Sequence, residues 1–146
     1  MILHKNIVVK KFGNCEEFII ICDHSSNYIP DDYKKLGVSN EYLESHRAYD
    51  LGVSHIAEEL SKLLDCNLVM ANFSRLLIDP NRGEDDPTLI PKISEGEIIF
   101  GNLDVKFSEK DKERNKRIRE YYAPYHNQIN DLINASLKNN KVPKII

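Results

Sequence analysis

A continuous apolar run, residues 18–21 (FIII), lies near the start of the chain and is made of β-branched and aromatic residues. Such a run is typical of a strand buried on both faces of a sheet, and it predicts a strand over residues 16–22. The run leads into Cys22 and then into His24, whose side chains can bind protons or metals. Either the strand ends in an ordinary loop, or it carries an active site at its carboxyl end, as strands of open α/β sheets do.

The order of the other predicted elements indicates an α/β fold. Residues 6–12 and 67–73 are predicted to form further strands, and residues 142–146 the beginning of another. Strands that alternate with helices favour a mainly parallel sheet flanked by helices. A chain of 146 residues is long enough for one hydrophobic core, so we predict a single domain over residues 1–146.

Two helical regions are predicted. The first begins near Asn40 and is interrupted near Gly52. The last begins at Ser108 as N-cap, with Asp111 in its first turn, and is bent or broken near Pro124. The predicted apolar stripe of the first region consists of Leu51, Ile56, Leu60, Leu63 and Leu64.

Composition excludes several classes of partner. With a net charge of -3, 41% hydrophobic residues and 29% charged residues, the chain is ordinary for a globular protein and has no general affinity for nucleic acid or anionic membranes. No apolar stretch approaches the roughly 20 residues of a membrane span. Three scattered cysteines without a C-x-x-C motif, and an amino terminus without a secretory leader, predict a cytoplasmic location.

His24 and Asn27 are the first candidate site residues. Neutral imidazole is a common zinc ligand, and Asn27, three residues further on, is close enough in a tight turn to share a site. A single histidine after a strand is, however, more often a hydrogen-bonded loop residue. Both interpretations of His24 stay open at this point.

His46 and Asp50 are a second candidate pair. They are four residues apart in a predicted helix, so their side chains would lie on one face. The carboxylate could orient the imidazole or bind the same metal. Without further information, an ordinary pair on a helix surface is the better interpretation.

Polar side chains flank a short apolar triplet directly after the predicted strand 67–73. Ser74 and Arg75 precede the triplet, and Asn81 and Arg82 follow it. Arginine offers a planar fork that matches carboxylates, and asparagine adds an amide donor, so the segment could bind a small dicarboxylate or an amino-acid carboxylate. The alternative is a local turn held by a salt bridge between Arg82 and Asp79.

Several separated motifs in the right order resemble the N-formylglutamate amidohydrolase (N-formylglutamate deformylase) family. They are residues 22–30 (CDHSSNYIP), 46–52 (HRAYDLG), 74–82 (SRLLIDPNR), 94–102 and 121–126. The resemblance covers nearly the whole chain, which makes it far more specific than any one motif.

The resemblance implies an α/β architecture akin to the zinc-dependent carboxypeptidases (phosphorylase/hydrolase-like) and a zinc cofactor. It implies that the enzyme cleaves the amide of an N-acylated amino acid such as N-formylglutamate. His24, Asn27 and His46 would bind the metal, and Arg75 and Asp50 would have catalytic roles, Asp50 also beside the metal. Asn81, Arg82 and Ser74 would bind the substrate.

The resemblance also implies that family members continue for roughly another hundred residues. We therefore expect this sequence to correspond to the amino-terminal part of the usual domain, truncated before a second metal histidine. The alternative function is a non-catalytic anion- or amino-acid-binding domain. The expected partner is a small N-acyl amino acid, and an exposed strand edge at residues 142–146 would favour a homo-oligomer.

Overall fold

The computed structural model describes residues 3–146, which form an α/β fold around one five-stranded sheet. The strand order in the sheet is β1-β2-β4-β3-β7, and β5 and β6 form a separate hairpin. The strands are β1 (Leu3–His4), β2 (Ile7–Lys11), β3 (Cys15–Cys22), β4 (Cys66–Ala71), β5 (Ile93–Ser94), β6 (Glu97–Ile98) and β7 (Lys144–Ile145).

Helices connect the strands and flank the sheet. The α-helices are α1 (Asn40–Leu43), α2 (Val53–Leu63), α3 (Lys112–Arg117) and α4 (Ala123–Lys138). Short 3-10 segments span Asp31–Gly37 and Phe100–Asn102, and a π-helical turn, Ile118–Tyr122, joins α3 to α4. The predicted irregularity near Pro124 is therefore confirmed, because Pro124 lies at the start of α4 directly after the π-helical turn.

The centre of the sheet is parallel. β3 pairs in parallel with β4 on one side and with β7 on the other. β2 runs antiparallel to β4, and β1 continues that edge antiparallel to β2. The predicted α/β class is confirmed, with the two apolar runs of the sequence as neighbouring parallel strands.

The apolar runs of β3 and β4 account for the centre of the core. Ile19 and Ile20 of β3 are 1% and 2% exposed, and Leu68 and Val69 of β4 are fully buried. Successive residues of a strand point to opposite faces. As a result, Ile20 and Leu68 pack on the side of α2, whereas Val69 belongs to the larger core on the other side.

Two predicted helix features are wrong in detail. Leu60 and Leu64 of the predicted stripe pack against the core, whereas Ile56 and Leu63 are 64% and 80% exposed and Leu51 is also exposed. Ala57, which the prediction left out, belongs to the buried face of α2. The last helical region begins later than predicted.

That later beginning has a simple cause. The side chain of Asp111 accepts a hydrogen bond from the backbone N–H of Arg114, so Asp111 and not Ser108 caps α3. In residues 3–146, no helix combines the length and apolar character needed to cross a membrane.

Candidate functional site

His24 and Asp79 meet at the carboxyl end of the parallel strands. His24 lies two residues after β3 and is 9% exposed, and Asp79 lies in the loop that follows β4. Nε2 of His24 is 2.7 Å from Oδ1 of Asp79. The parallel pairing of β3 with β4 is what brings together two residues that are 55 positions apart in the sequence.

Asp50 approaches the other side of the same ring. Its Oδ2 lies 3.5 Å from Nδ1 of His24, and its backbone N–H donates to the His24 carbonyl at 2.9 Å. Oδ1 of Asp50 accepts a hydrogen bond from the guanidinium of Arg75. The imidazole is therefore flanked by two carboxylates, and one of these also holds an arginine.

The pKa of Asp79 reflects this environment. Burial disfavours the charged carboxylate, but the hydrogen bonds from His24 and from the backbone of Asn81, together with the charge of Arg75, outweigh burial and lower the pKa of Asp79. Asp79 is consequently an anion at neutral pH and stays bonded to His24.

The loop after β4 places two arginines and an asparagine near His24. The backbone N–H of Asn81 donates to Oδ1 of Asp79 at 2.9 Å, which fixes a tight turn. Nε of Arg82 lies 3.9 Å from Oδ2 of Asp79, a long contact that leaves Arg82 largely free. Nε of Arg75 is buried and has no hydrogen-bond partner among the described residues.

Arg75, Asp79 and Arg82 open onto a cleft of about 280 Å³. Its volume is close to the lower end of the range for small-ligand sites. The cleft is lined by His46, Arg47, Arg75, Leu76, Asp79, Arg82, Thr88, Pro91, Ile93, Ser94 and Glu95. Three arginines on one small cleft favour an anionic ligand.

The prediction that His46 and Asp50 share a helix face is wrong. α1 ends at Leu43, and the segment that contains both residues is a series of turns. The hydroxyl of Ser45 donates to the carbonyl of Tyr42, which stabilises the chain reversal after the helix. His46 pairs with Glu95 at 3.2 Å, whereas Asp50 points to Arg75 and His24.

The side chains of two other predicted site residues form hydrogen bonds to backbone carbonyls. The side-chain amide of Asn27 donates to the carbonyl of Leu43 at 3.0 Å. Ser74 is fully buried, and its hydroxyl donates to the carbonyl of Ala48 at 2.9 Å. Both contacts connect the segments that surround His24.

In residues 3–146, no group of three or more histidine, cysteine, aspartate or glutamate side chains is arranged as a metal site. Two donors of the types that zinc binds nevertheless lie next to each other at His24. A metal-binding histidine commonly bonds a carboxylate through one ring nitrogen, as Nε2 does with Asp79, and uses the other nitrogen as ligand. Nδ1 faces Asp50, so an imidazole nitrogen and a carboxylate oxygen lie on the same side.

Sequence comparison identifies the family of the chain. Residues 16–146 match the N-formylglutamate amidohydrolase family. The chain belongs to this family. No curated protein matches the sequence significantly.

Two crystal structures resemble this N-formylglutamate amidohydrolase family member. A gene product of Agrobacterium tumefaciens is 31% identical, superposes with a TM-score of 0.90, and aligns over 97% of this chain and 54% of its own. An N-formylglutamate amidohydrolase from Ralstonia eutropha JMP134 is 23% identical with a TM-score of 0.63, over 92% of this chain and 52% of its own. The second structure supports the fold. The chain spans about half the length of both.

Proposed function

We propose that this chain carries the hydrolytic site of a zinc-dependent amidohydrolase that cleaves N-acylated amino acids such as N-formylglutamate. The observation that carries the proposal is the arrangement of His24 between Asp79 and Asp50, with Arg75 on Asp50, at the carboxyl end of two parallel strands. Membership of the family supports the substrate class.

In this proposal, Asp79 would position His24, and His24 would hold the metal. Asp79 would keep the proton of the imidazole on Nε2, which would leave Nδ1, on the side of Asp50, for zinc. When bound, zinc polarises the acyl carbonyl and lowers the pKa of a bound water towards neutrality. Asn27 and His46 stay predicted ligands, although in the structure the side chain of Asn27 bonds the carbonyl of Leu43 and that of His46 bonds the carboxylate of Glu95.

Arg75 would stabilise the negative charge that develops on the acyl oxygen. Its side chain is 24% exposed and lines the cleft, and its Nη2 is fixed by Asp50. A preorganised donor of this kind stabilises a transition state because it needs no reorganisation during the reaction.

Asn81 and Arg82 would bind the carboxylate of the amino acid. Both are exposed and Arg82 lines the cleft, where its side chain makes long contacts of 3.9 Å to Asp79 and 3.8 Å to Asp86. We assign Ser74, which is fully buried, to supporting this loop. Hydrolysis of N-formylglutamate would add hydroxide to the formyl carbon and a proton to the amino nitrogen, releasing formate and glutamate.

Two further predictions accompany this proposal. We propose that residues 1–146 form one domain and that its architecture is akin to that of the zinc-dependent carboxypeptidases. The mixed sheet with helices on both faces supports the α/β class on which that likeness rests.

Zinc content and formate release test the proposal. We expect the purified chain, dialysed against trace zinc, to retain near-stoichiometric metal and to release formate from N-formyl-L-glutamate. His24→Ala should lose both. His55→Ala removes an exposed histidine of α2 and should change neither. Retention of zinc by His24→Ala, or formate release that does not depend on His24, would overturn the proposal.

A non-catalytic binding domain is the second candidate. It is favoured by the three arginines of the cleft, which would bind an amino-acid carboxylate whether or not hydrolysis follows. This function predicts that glutamate binds without turnover and that Arg82→Ala abolishes binding. Zinc-dependent formate release would decide against it.

A further inference from the structure

The β5–β6 hairpin ends in an unusual turn. Ser94 pairs with Glu97, so Glu95 and Gly96 form a two-residue loop, and both have positive φ, 46° and 84°. Two-residue hairpin loops of this kind favour asparagine or aspartate followed by glycine. Glutamate at the first position gains no local hydrogen bond and adopts a disfavoured backbone conformation, so turn preference does not explain Glu95.

The carboxylate of Glu95 instead reaches across to the segment after α1. Its Oε2 lies 3.1 Å from Nε of Arg47 and 3.2 Å from Nε2 of His46. The hairpin is anchored separately, because the hydroxyl of Tyr42 donates to the carbonyl of Ser94 at 2.6 Å. Glu95 can therefore leave Arg47 without releasing the hairpin.

Arg47 is preorganised for an anion. Its guanidinium lies over the ring of Tyr42, 5.1 Å from the centroid, which fixes the plane of the fork. Its two terminal nitrogens make no hydrogen bond within residues 3–146. Arg47 and Glu95 line the same cleft as Arg75 and Arg82.

We propose that Arg47 binds a second carboxylate of the substrate, in the place where Glu95 now binds it. The site would then accept N-acyl derivatives of dicarboxylic amino acids, with one carboxylate at Arg82 and the side-chain carboxylate at Arg47. This inference rests on the proposed function and adds the residue that selects the acidic side chain.

Electrostatics make Glu95 a competitor for that position. Two carboxylates on one guanidinium repel each other, and the side chain of Glu95 is 53% exposed and free to move into solvent. A substrate with a charged side chain can replace Glu95 at Arg47. A substrate with a neutral amide in the same position leaves Glu95 in place and gains no ion pair.

Binding of two closely matched ligands tests this assignment. N-formyl-L-glutamate and N-formyl-L-glutamine, titrated calorimetrically into the zinc-loaded chain at low salt, differ only in the side-chain carboxylate. Arg47→Met keeps an apolar stem on Tyr42. It should weaken the affinity for N-formyl-L-glutamate by about tenfold and leave the affinity for N-formyl-L-glutamine unchanged. Glu95→Gln should raise the affinity for N-formyl-L-glutamate alone. Misfolding cannot produce such a gain in affinity.

Matched controls are available on the surface. Arg119→Met removes an exposed arginine that pairs with Glu120, and Glu97→Gln removes an exposed carboxylate of the same hairpin. Neither should change the preference between the two ligands. If Arg47→Met weakens both ligands equally, or Glu95→Gln leaves the preference unchanged, the inference is overturned while the proposed function stands. If neither ligand binds the unaltered chain, the proposed function fails and the inference with it.

Discussion

Nε2 of His24 and Oδ1 of Asp79 are 2.7 Å apart, so the loop after β4 fixes the ring of the residue that follows β3. The same oxygen also accepts the backbone N–H of Asn81, which ties the His24 contact to the turn that carries Arg82. Asp79 is thus a positioning residue shared by the two parts of the candidate site.

Asp79→Asn should weaken zinc binding. The amide removes the negative charge that holds the proton on Nε2 of His24, so Nδ1 becomes a poorer ligand. Loss of such a supporting carboxylate typically reduces metal affinity by about 10- to 100-fold. Competition with a chromogenic chelator measures the change, and Asp104→Asn, at an exposed position, is the control. Equal affinity of Asp79→Asn and the unaltered chain would show that Asp79 does not support a metal site.

The low pKa of Asp79 predicts a pH-dependent contribution to stability. A carboxyl group with a folded-state pKa below its unfolded value, about 3.9 for aspartate, stabilises the native state at higher pH. That stabilisation is lost as the pH falls through the folded-state value. We therefore expect the unaltered chain to exceed Asp79→Asn in free energy of unfolding above about pH 5, where the carboxyl group is ionised in both states. The difference should shrink below pH 4, as urea unfolding at a series of pH values would show.

The fold could be predicted from the sequence where the residues of a single strand or helix indicate whether that element is buried. Residues 18–21 of β3 and 68–71 of β4 are apolar on both faces of the strand, and this property predicts burial without knowledge of the partner strand. The buried face of α2 could not be predicted in the same way. Ala57 faces the sheet and Ile56 faces solvent because the helix lies close to the strands, a packing distance that no pattern within α2 specifies.

Candidate site residues could be named from the sequence, but the contacts that the structure shows around His24 could not be predicted. Asp79 is three positions from Arg82, and this spacing suggested a local salt bridge. In the structure that contact is 3.9 Å long, whereas the bond to His24 is 2.7 Å. The pairing of β3 with β4 brings Asp79 to His24, and the spacing of residues within one loop carries no information about this pairing. The contact between Glu95 and Arg47 depends in the same way on where the hairpin packs.

Arg117→Met should be strongly destabilising. Arg117 is 2% exposed, and its Nη1 donates to the carbonyl of Leu77 at 2.9 Å and to Oδ1 of Asn102 at 2.6 Å. Methionine would leave these buried acceptors without a partner, at a cost of about 3 kcal/mol in the free energy of unfolding. Urea denaturation would measure this loss.

The exposed Arg119 provides a matched control for that loss. Its side chain is 70% exposed, and Arg119→Met should stay within about 0.5 kcal/mol of the unaltered chain. Similar stabilities of Arg117→Met and Arg119→Met would show that the buried hydrogen bonds of Arg117 contribute little.

The three cysteines should differ in reactivity. Burial, with the nearby charges of Asp23 and Asp50, raises the pKa of Cys22 to about 11, and burial also raises the pKa of Cys66. At pH 8 these two groups are therefore protonated and shielded from solvent, and they should react slowly, because a thiol reacts through its thiolate.

Cys15 is half-buried and should react first with a disulfide reagent, giving one fast thiol in the native protein and three in denaturant. Cys15→Ser should remove the fast phase. A second fast thiol in the native protein would mean that the strand ends holding Cys22 or Cys66 open readily to solvent.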